Sequence, residues 1–270
     1  MKAISILNLK GGVGKTVTAV NTAHILASEH KQRVLLIDCD SQCNATEFFG
    51  LTPTENDVTL DDVLLCNCEP FYGDEITPTA YKNLDMIPAS DGLMDLDMSH
   101  IADNRVHGRV LADLCSAIRE DNAYDYVIFD CPPAFNAASA AALLASDEVI
   151  IPIKLDAFSL RGLANVRRQI ENIKRINSSI RIAGALITMW RNVPVVLDAE
   201  AALRDSGVLP VFQTVIRRTD KVDEMTFRQV PIMVSSPYSA AGYDYRNFVQ
   251  ELLEPQLTMD DVEGGADDGI

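Results

Sequence analysis

Seven residues, Lys10-Gly11-Gly12-Val13-Gly14-Lys15-Thr16, constrain this chain more than any other stretch because of what stands on either side of them. Apolar residues alternate and cluster from Ala3 to Leu9 as in a buried strand, and Val17, Val20, Ala23, His24 and Ala27 recur at helical spacing from Thr16 to Glu29. The glycines therefore join a strand end to a helix start. Without a Cβ they let the backbone curl until several N–H groups point inward, and the helix macrodipole adds partial positive charge at the same place. A triphosphate tail is the natural occupant, with Lys15 reaching its β and γ phosphates from the helix start.

The rest of the chain repeats the alternation of strand and helix. Arg33 to Asp38 is an apolar run ending in acid, followed by Cys39-Asp40-Ser41-Gln42-Cys43-Asn44-Ala45-Thr46. Phe48 to Asn83 is rich in turn residues around one helical candidate, Leu60 to Leu65. Leu84 to Ala89 reads as a strand, and the Leu and Met spacing of Asp91 to His100 predicts a helix in which Met94 and Met98 fill core. His100 and His107 have no carboxylate or cysteine at relay or ligand spacing and read as surface or packing residues. A helix over Arg105 to Glu120 leads to the strand Tyr124 to Asp130, again ending in acid. The small residues of Asn136 to Ala145 suit a closely packed helix, and Glu148 to Lys154 is a further buried strand. Leu160 to Asn177 predicts a helix with Arg161, Arg168 and Arg175 seven residues apart, either a solvated face or a surface for nucleic-acid backbone. Ile182 to Met189, Val193 to Asp205 and Ser239 to Leu253 complete the pattern as a strand, a helix and an amphipathic closing helix. Such alternation predicts an α/β fold: a doubly wound, mostly parallel sheet flanked by helices, whose ligand sits at the carboxyl ends of the strands.

One large domain accommodates the 270 residues, and 47% apolar content suits its core. No run approaches the ~20 apolar residues needed to span a bilayer, so a cytoplasmic protein is expected. The six cysteines (Cys39, Cys43, Cys66, Cys68, Cys115 and Cys131) include no C-x-x-C pair and are expected to be reduced. Cys66-x-Cys68 lacks companions at metal-ligand spacing. The net charge of −16 argues against wholesale coating of nucleic acid, yet Lys154 to Arg228 holds 13 Lys and Arg against 8 Asp and Glu. A local basic face on an acidic protein fits that balance.

The glycine loop departs from the common phosphate-binding pattern, since Leu9 stands where a glycine is usual and Lys10 follows it. Lys-Gly-Gly-Val-Gly-Lys-Thr resembles the deviant Walker A signature of the ParA/MinD ATPase superfamily. The resemblance implies a P-loop NTPase fold and an ATP-sandwich homodimer in which Lys10 reaches the partner's nucleotide. Gly11, Gly12, Val13, Gly14, Lys15, Thr16 and Val17 would form the phosphate site, with Val17 replacing a threonine that contacts the α-phosphate in relatives. Asp38-x-Asp40-Ser41-Gln42 resembles the family's Asp-x-Asp-Pro-Gln motif, which implies that Asp40 activates water and touches the Mg²⁺ shell while Asp38 supports it. Asp130 matches Walker B and would order the Mg²⁺ shell with Thr16, and Cys131-Pro-Pro-Ala-Phe-Asn136 resembles the second switch, with Cys131 a small buried residue.

Phe212-Gln-Thr-Val-Ile-Arg-Arg-Thr219 resembles the family's late motif, whose adenine-lining places are held here by Arg217 and Thr219. Lys221 stands where relatives place a basic residue for non-specific DNA. The resemblance spans Met1 to Glu254 and fits the short, Soj-like branch, leaving 255–270 as an acidic tail expected to be disordered and unsuited to membrane docking. It implies a Mg²⁺-dependent ATPase that dimerises on ATP, binds non-specific DNA on the nucleoid, answers to a ParB-like centromere-binding partner and partitions a plasmid or chromosome. Two alternatives stand beside this: an ATPase positioning a protein cargo, and a metallocluster carrier related to the nitrogenase iron protein.

Overall fold

The apolar run after Met1 forms β1 (Lys2–Ile6), buried at every position but its first, and the glycine loop runs from it into α1 (Lys15–Ser28). The computed structural model describes residues 1–65, 73–96, 108–156 and 159–254, without the side chains of 159–161. The elements that follow are β2 (Val34–Asp38), α2 (Asn44–Phe48), α3 (Leu60–Leu65), β3 (Thr77–Pro78), β4 (Leu84–Ile87), a 3-10 turn over Asp91–Asp95, and α4 (Val110–Asp121). Then come β5 (Tyr126–Asp130), α5 (Ala137–Ala145), β6 (Glu148–Lys154), α6 (Ser159–Lys174), β7 (Arg181–Trp190) and α7 (Pro194–Asp205). The chain closes with β8 (Val211–Arg217), α8 (Asp220–Arg228), α9 (Ile232–Ser235) and α10 (Ala240–Leu253).

These strands make one sheet in the order β3-β4-β2-β5-β1-β6-β7-β8, parallel throughout except for β3 against β4. Parallel strands with helices on both faces are buried on both sides, which explains why β2 reads as an unbroken apolar run. One core layer gathers Leu64, Leu111, Leu114, Ala141, Val166 and Ile170 beneath α3 to α6. The opposite layer gathers Val20, Ala23, Phe48, Met225 and Phe248 beneath α1, α2, α8 and α10. Phe248 meets Phe212 edge-on with ring centroids 5.0 Å apart, which clamps α10 to β8. Such a pair contributes about 1 kcal/mol beyond the area it buries.

Register sets up the site. Ile6 pairs with Asp130 and Asp130 with Asp38, so β1, β5 and β2 end level and carry two carboxylates up beside the glycine loop.

The helix expected over Asp91 to His100 is instead the short 3-10 turn, and Met94 is 64% exposed rather than core filling. The turn is pinned from outside: Ser90 Oγ accepts the Gly92 N–H at 3.0 Å and donates to Asp61 at 2.6 Å, and a Cβ on Gly92 would run into that carboxylate. Met98, His100, His107, Cys66, Cys68 and the tail 255–270 lie outside the described residues. Helix α6 ends at Lys174, so Arg175 follows its last residue rather than sharing a helical face with Arg168. Cys39, Cys43, Cys115 and Cys131 are free thiols, Cys131 fully buried as its sequence context suggests. Among the described residues no helix is long and apolar enough to cross a membrane.

Candidate nucleotide site

The glycine loop takes the backbone that its composition permits. Gly12 and Gly14 lie at φ +67° and +84°, in the left-handed region, and Gly14 caps α1. Nothing stands within 4 Å of where a Cβ would project at Gly11 or Gly12, so the cradle is open there. Its shoulders are fixed: Asn8 Nδ2 donates to the Pro152 carbonyl at 2.7 Å, Lys10 N–H donates to Asn8 Oδ1 at 3.0 Å, and the Thr188 hydroxyl donates to the Val13 carbonyl at 2.8 Å. Lys15 is 7% exposed, and its ammonium donates to the Lys10 carbonyl at 3.3 Å. Burial lowers its pKa while Asp130 and Asp40 pull it back up, so the loop holds a cation that is poorly hydrated and aimed inward.

Asp38 is fully buried and accepts the Thr46 N–H at 2.9 Å, the Thr46 hydroxyl at 2.8 Å and the Asp40 N–H at 3.1 Å. Burial lifts its pKa to about 6 against those bonds. Thr46 Oγ1 in turn accepts the Ala89 N–H at 2.9 Å, tying α2 to the chain just past β4. Asp38 thus shapes the turn that presents Asp40, whose Oδ1 accepts the Gln42 N–H at 3.0 Å. Asp130 differs. It is fully buried, and neither carboxylate oxygen has a well-formed hydrogen bond among the described residues. Burial and the charges of Asp38 and Asp40 push its pKa well above the usual carboxylate range, opposed by the nearby Thr16 hydroxyl and Lys15.

Two carboxyl oxygens left without partners beside a threonine hydroxyl are hard oxygen donors that a divalent cation would bind and hold ionised, so the residues present fit Mg²⁺. Next to Gly14 and Val17 opens a cleft of about 230 Å³, also lined by Thr188, Met189, Arg217 and Thr219. Both late-motif residues therefore reach the cleft, each already engaged. Arg217 grips Asp244 through its N–H at 2.8 Å and its guanidinium at 2.7 Å, and the Thr219 hydroxyl accepts the Lys221 N–H at 3.3 Å at the start of α8. Lys10 pairs its ammonium with Asp156, beyond the end of β6, whereas the Lys15 ammonium stays buried against the Lys10 carbonyl.

The basic residues expected to meet DNA lie elsewhere. Arg168 and Arg175 are exposed beside one core layer, whereas Lys221, paired with Glu224 at 2.8 Å, starts α8 against the other. Sequence reading missed Thr188, Asp156, Asp244 and Lys154, the last of which also lines the cleft. Thr188 and Lys154 could have been found from their place at the carboxyl ends of strands; Asp244 has no such signal, because it comes from a helix 27 residues beyond its partner.

A strand, a glycine-rich turn and a buried Lys-Thr pair facing two carboxylates at the switch of strand order define a P-loop nucleoside triphosphatase. A family model described as an AAA domain matches residues 1–182. The chain is 33% identical over 259 residues to the chromosome partitioning protein ParA of Caulobacter vibrioides, covering 94% of each. It is 33% identical over 257 residues to the sporulation initiation inhibitor protein Soj of Bacillus subtilis, covering 93% of this chain and 98% of that protein. A Mycobacterium smegmatis structure described as cobyrinic acid a,c-diamide synthase with bound ADP and magnesium superimposes with a TM-score of 0.77 at 26% identity, over 94% of each chain. The chain belongs to the ParA/MinD family of P-loop ATPases, and its cofactors are ATP and Mg²⁺.

Proposed function

We propose that this ATPase is a dimerising switch that partitions DNA, binding non-specific DNA as an ATP dimer and releasing it on hydrolysis of the β–γ bond. The backbone N–H groups of Gly11 to Thr16 and the Lys15 ammonium hold the phosphates, and Arg217 and Thr219 bound the adenosine cleft. Thr16, Asp40 and Asp130 would hold Mg²⁺, which would supply neutralisation of the phosphate charge on which turnover depends. Asp40, presented on the turn that Asp38 braces, orients the attacking water.

The observation that carries the dimer is the position of Lys10. Its side chain is 40% exposed on the loop's shoulder and paired with Asp156, while the Lys15 side chain is buried against the loop's own backbone. A lysine so placed serves a nucleotide approaching from outside, and supplying it in trans stabilises charge developing on the transferring phosphoryl group. Arg161, Arg168, Arg175 and Lys221 supply the weak DNA contacts, which count twice in a dimer. A ParB-like partner accelerates an otherwise slow hydrolysis. The names of the 33%-identical ParA and Soj proteins support this reading.

The test is co-sedimentation of the Asp40→Ala protein with DNA, in ATP or ADP and at low and moderate salt, with mass by light scattering. A dimer in ATP that binds DNA and lets go as salt rises is the expected result. A dimer indifferent to DNA would move the cargo to protein, and a persistent monomer with normal hydrolysis would remove the switch.

A further inference from the structure

At the foot of the sheet, away from the nucleotide, a cleft of about 520 Å³ opens between the end of α1 and the turn that leads into β4. Asn83, on its wall, accepts the Val34 N–H at 2.8 Å and so marks the start of β2, whereas Asp38 at the other end of that strand belongs to the nucleotide site. From Lys15 to Ser28, α1 spans about 20 Å between the two places. The size of the cleft lies in the range of roughly 300–1,000 Å³ that small ligands occupy.

Its lining is basic. Lys31 and Lys82 stand exposed on it, and no carboxylate is among the described residues that line it. Lys31 donates to the Ser28 carbonyl, a neutral partner, and neither lysine has an ion pair among the described residues. Glu29, the acid whose charge reaches His24, is held through both carboxylate oxygens by Arg246 at 2.9 Å. The two ammonium charges on the cleft are therefore uncompensated.

His24 supplies the directional group. It is 4% exposed, and two contacts fix its ring: Ser28 Oγ lies 3.4 Å from Nδ1, and the Tyr81 ring meets it edge-on with centroids 4.8 Å apart. Nε2 finds no partner among the described residues, yet it is not sealed from solvent as the orphaned oxygens of Asp130 and Glu148 are, and the opening it meets is the cleft that the ring lines. Burial pushes its pKa down to about 4, so the ring is neutral and in its Nε2–H tautomer donates into the cleft. The lysines attract and the imidazole orients. Two ammonium groups and a ring N–H on one cleft, with no acid beside them, suit a tetrahedral oxyanion. We infer that this cleft is a second anion site, separate from the phosphate loop, which binds a small phosphate anion, free or esterified, through Lys31, Lys82 and Nε2 of His24.

The full chain, labelled with ¹³C at histidine and saturated with Mg·ADP to fill the phosphate loop, is titrated with inorganic phosphate against chloride at equal ionic strength and followed by NMR. The His24 Cε1 signal, identified by its loss in His24→Gln, should move saturably with phosphate and stay in place with chloride. Half-saturation should need roughly tenfold more phosphate in Lys82→Ala and in Lys31→Ala, each losing one charge-assisted hydrogen bond. Both side chains are exposed, so these substitutions leave the core alone. A shift that chloride reproduces, a shift that grows linearly with phosphate, or half-saturation unchanged in both variants overturns the site. Glycerol phosphate titrated in the same way separates the sources: tighter binding than inorganic phosphate assigns the site to a phosphorylated small molecule, and exclusion of the ester assigns it to the free ion. A short DNA duplex that moves the signal where neither small anion does overturns the inference in favour of nucleic-acid backbone.

Discussion

Replacing Asp130 by Asn should stabilise the ligand-free protein and weaken the loaded one. The carboxylate is fully buried and both oxygens lack a hydrogen bond among the described residues. A buried polar group left unpaired costs about 1–3 kcal/mol, and more when charged. Lys15 offsets part of this, but the upward displacement of the Asp130 pKa means that burial and repulsion from Asp38 and Asp40 prevail. Asparagine keeps the shape and an unpaired amide while removing the charge, so the difference is the electrostatic part, again about 1–3 kcal/mol. At 2–4 °C per kcal/mol for chains of roughly this size, the ligand-free melting temperature rises by about 2–12 °C. Mg·ATP at a hundredfold excess over its Kd adds about 2.7 kcal/mol to the parent. The variant loses most of that gain because the Mg²⁺ partner has gone. Thermal melts of both proteins, with and without saturating Mg·ATP, should therefore cross. A lower ligand-free melting temperature in Asp130→Asn, or an undiminished shift on adding Mg·ATP, would refute the assignment.

Two further outcomes test the same geometry from other sides. Lys15→Ala should abolish the Mg·ATP thermal shift and, by leaving Asp130 and Asp40 without their cation, lower the ligand-free melting temperature; retained Mg·ATP affinity would overturn the site. His24, 4% exposed and edge-on to Tyr81, has its pKa pushed down to about 4 by burial, with Glu29 opposing. The folded chain then binds fewer protons than the unfolded one, so the stability involved is complete above pH ~6.5 and drains away as pH falls toward 4. At 1.36 kcal/mol per pH unit it totals about 3 kcal/mol. Urea midpoints of His24→Gln measured between pH 7 and 4.5 should fall less steeply than those of the parent, and parallel profiles would contradict the buried neutral imidazole.

The phosphate loop was legible in the sequence because its requirements are local: glycines where φ must be positive, and a lysine one residue into the helix. The acidic strand ends were legible for a similar reason, since the sheet brings strand tips to one edge wherever the strands pair in register. What escaped depends on distant partners. Asp91 to His100 has helical spacing, yet Ser90 and Asp61 hold its start in a 3-10 turn that leaves Met94 in water. Arg217 is placed by the late motif at a position that lines the cleft beside the glycine loop, but its grip on Asp244 depends on how α10 returns along β8. The Asp156 partner of Lys10 likewise comes from beyond β6, 146 residues away. The two-residue β3 was too short to carry a periodicity at all.

Glu251 does something for the margin of the sheet. A terminal strand with free amide donors is a template on which another chain can hydrogen-bond, and unchecked it leads to fibres. Here two successive amides of β8, at Gln213 and Thr214, are stoppered by one carboxylate, and the pairing of β8 with β7 is broken by two irregularities that bend the strand. The other margin ends in two antiparallel residues, the second a proline that has no amide hydrogen to offer. Neither flank invites a neighbour to extend the sheet. Among the described residues, polymerisation through the backbone is discouraged at both ends, and contact with another copy is left to side chains and loops.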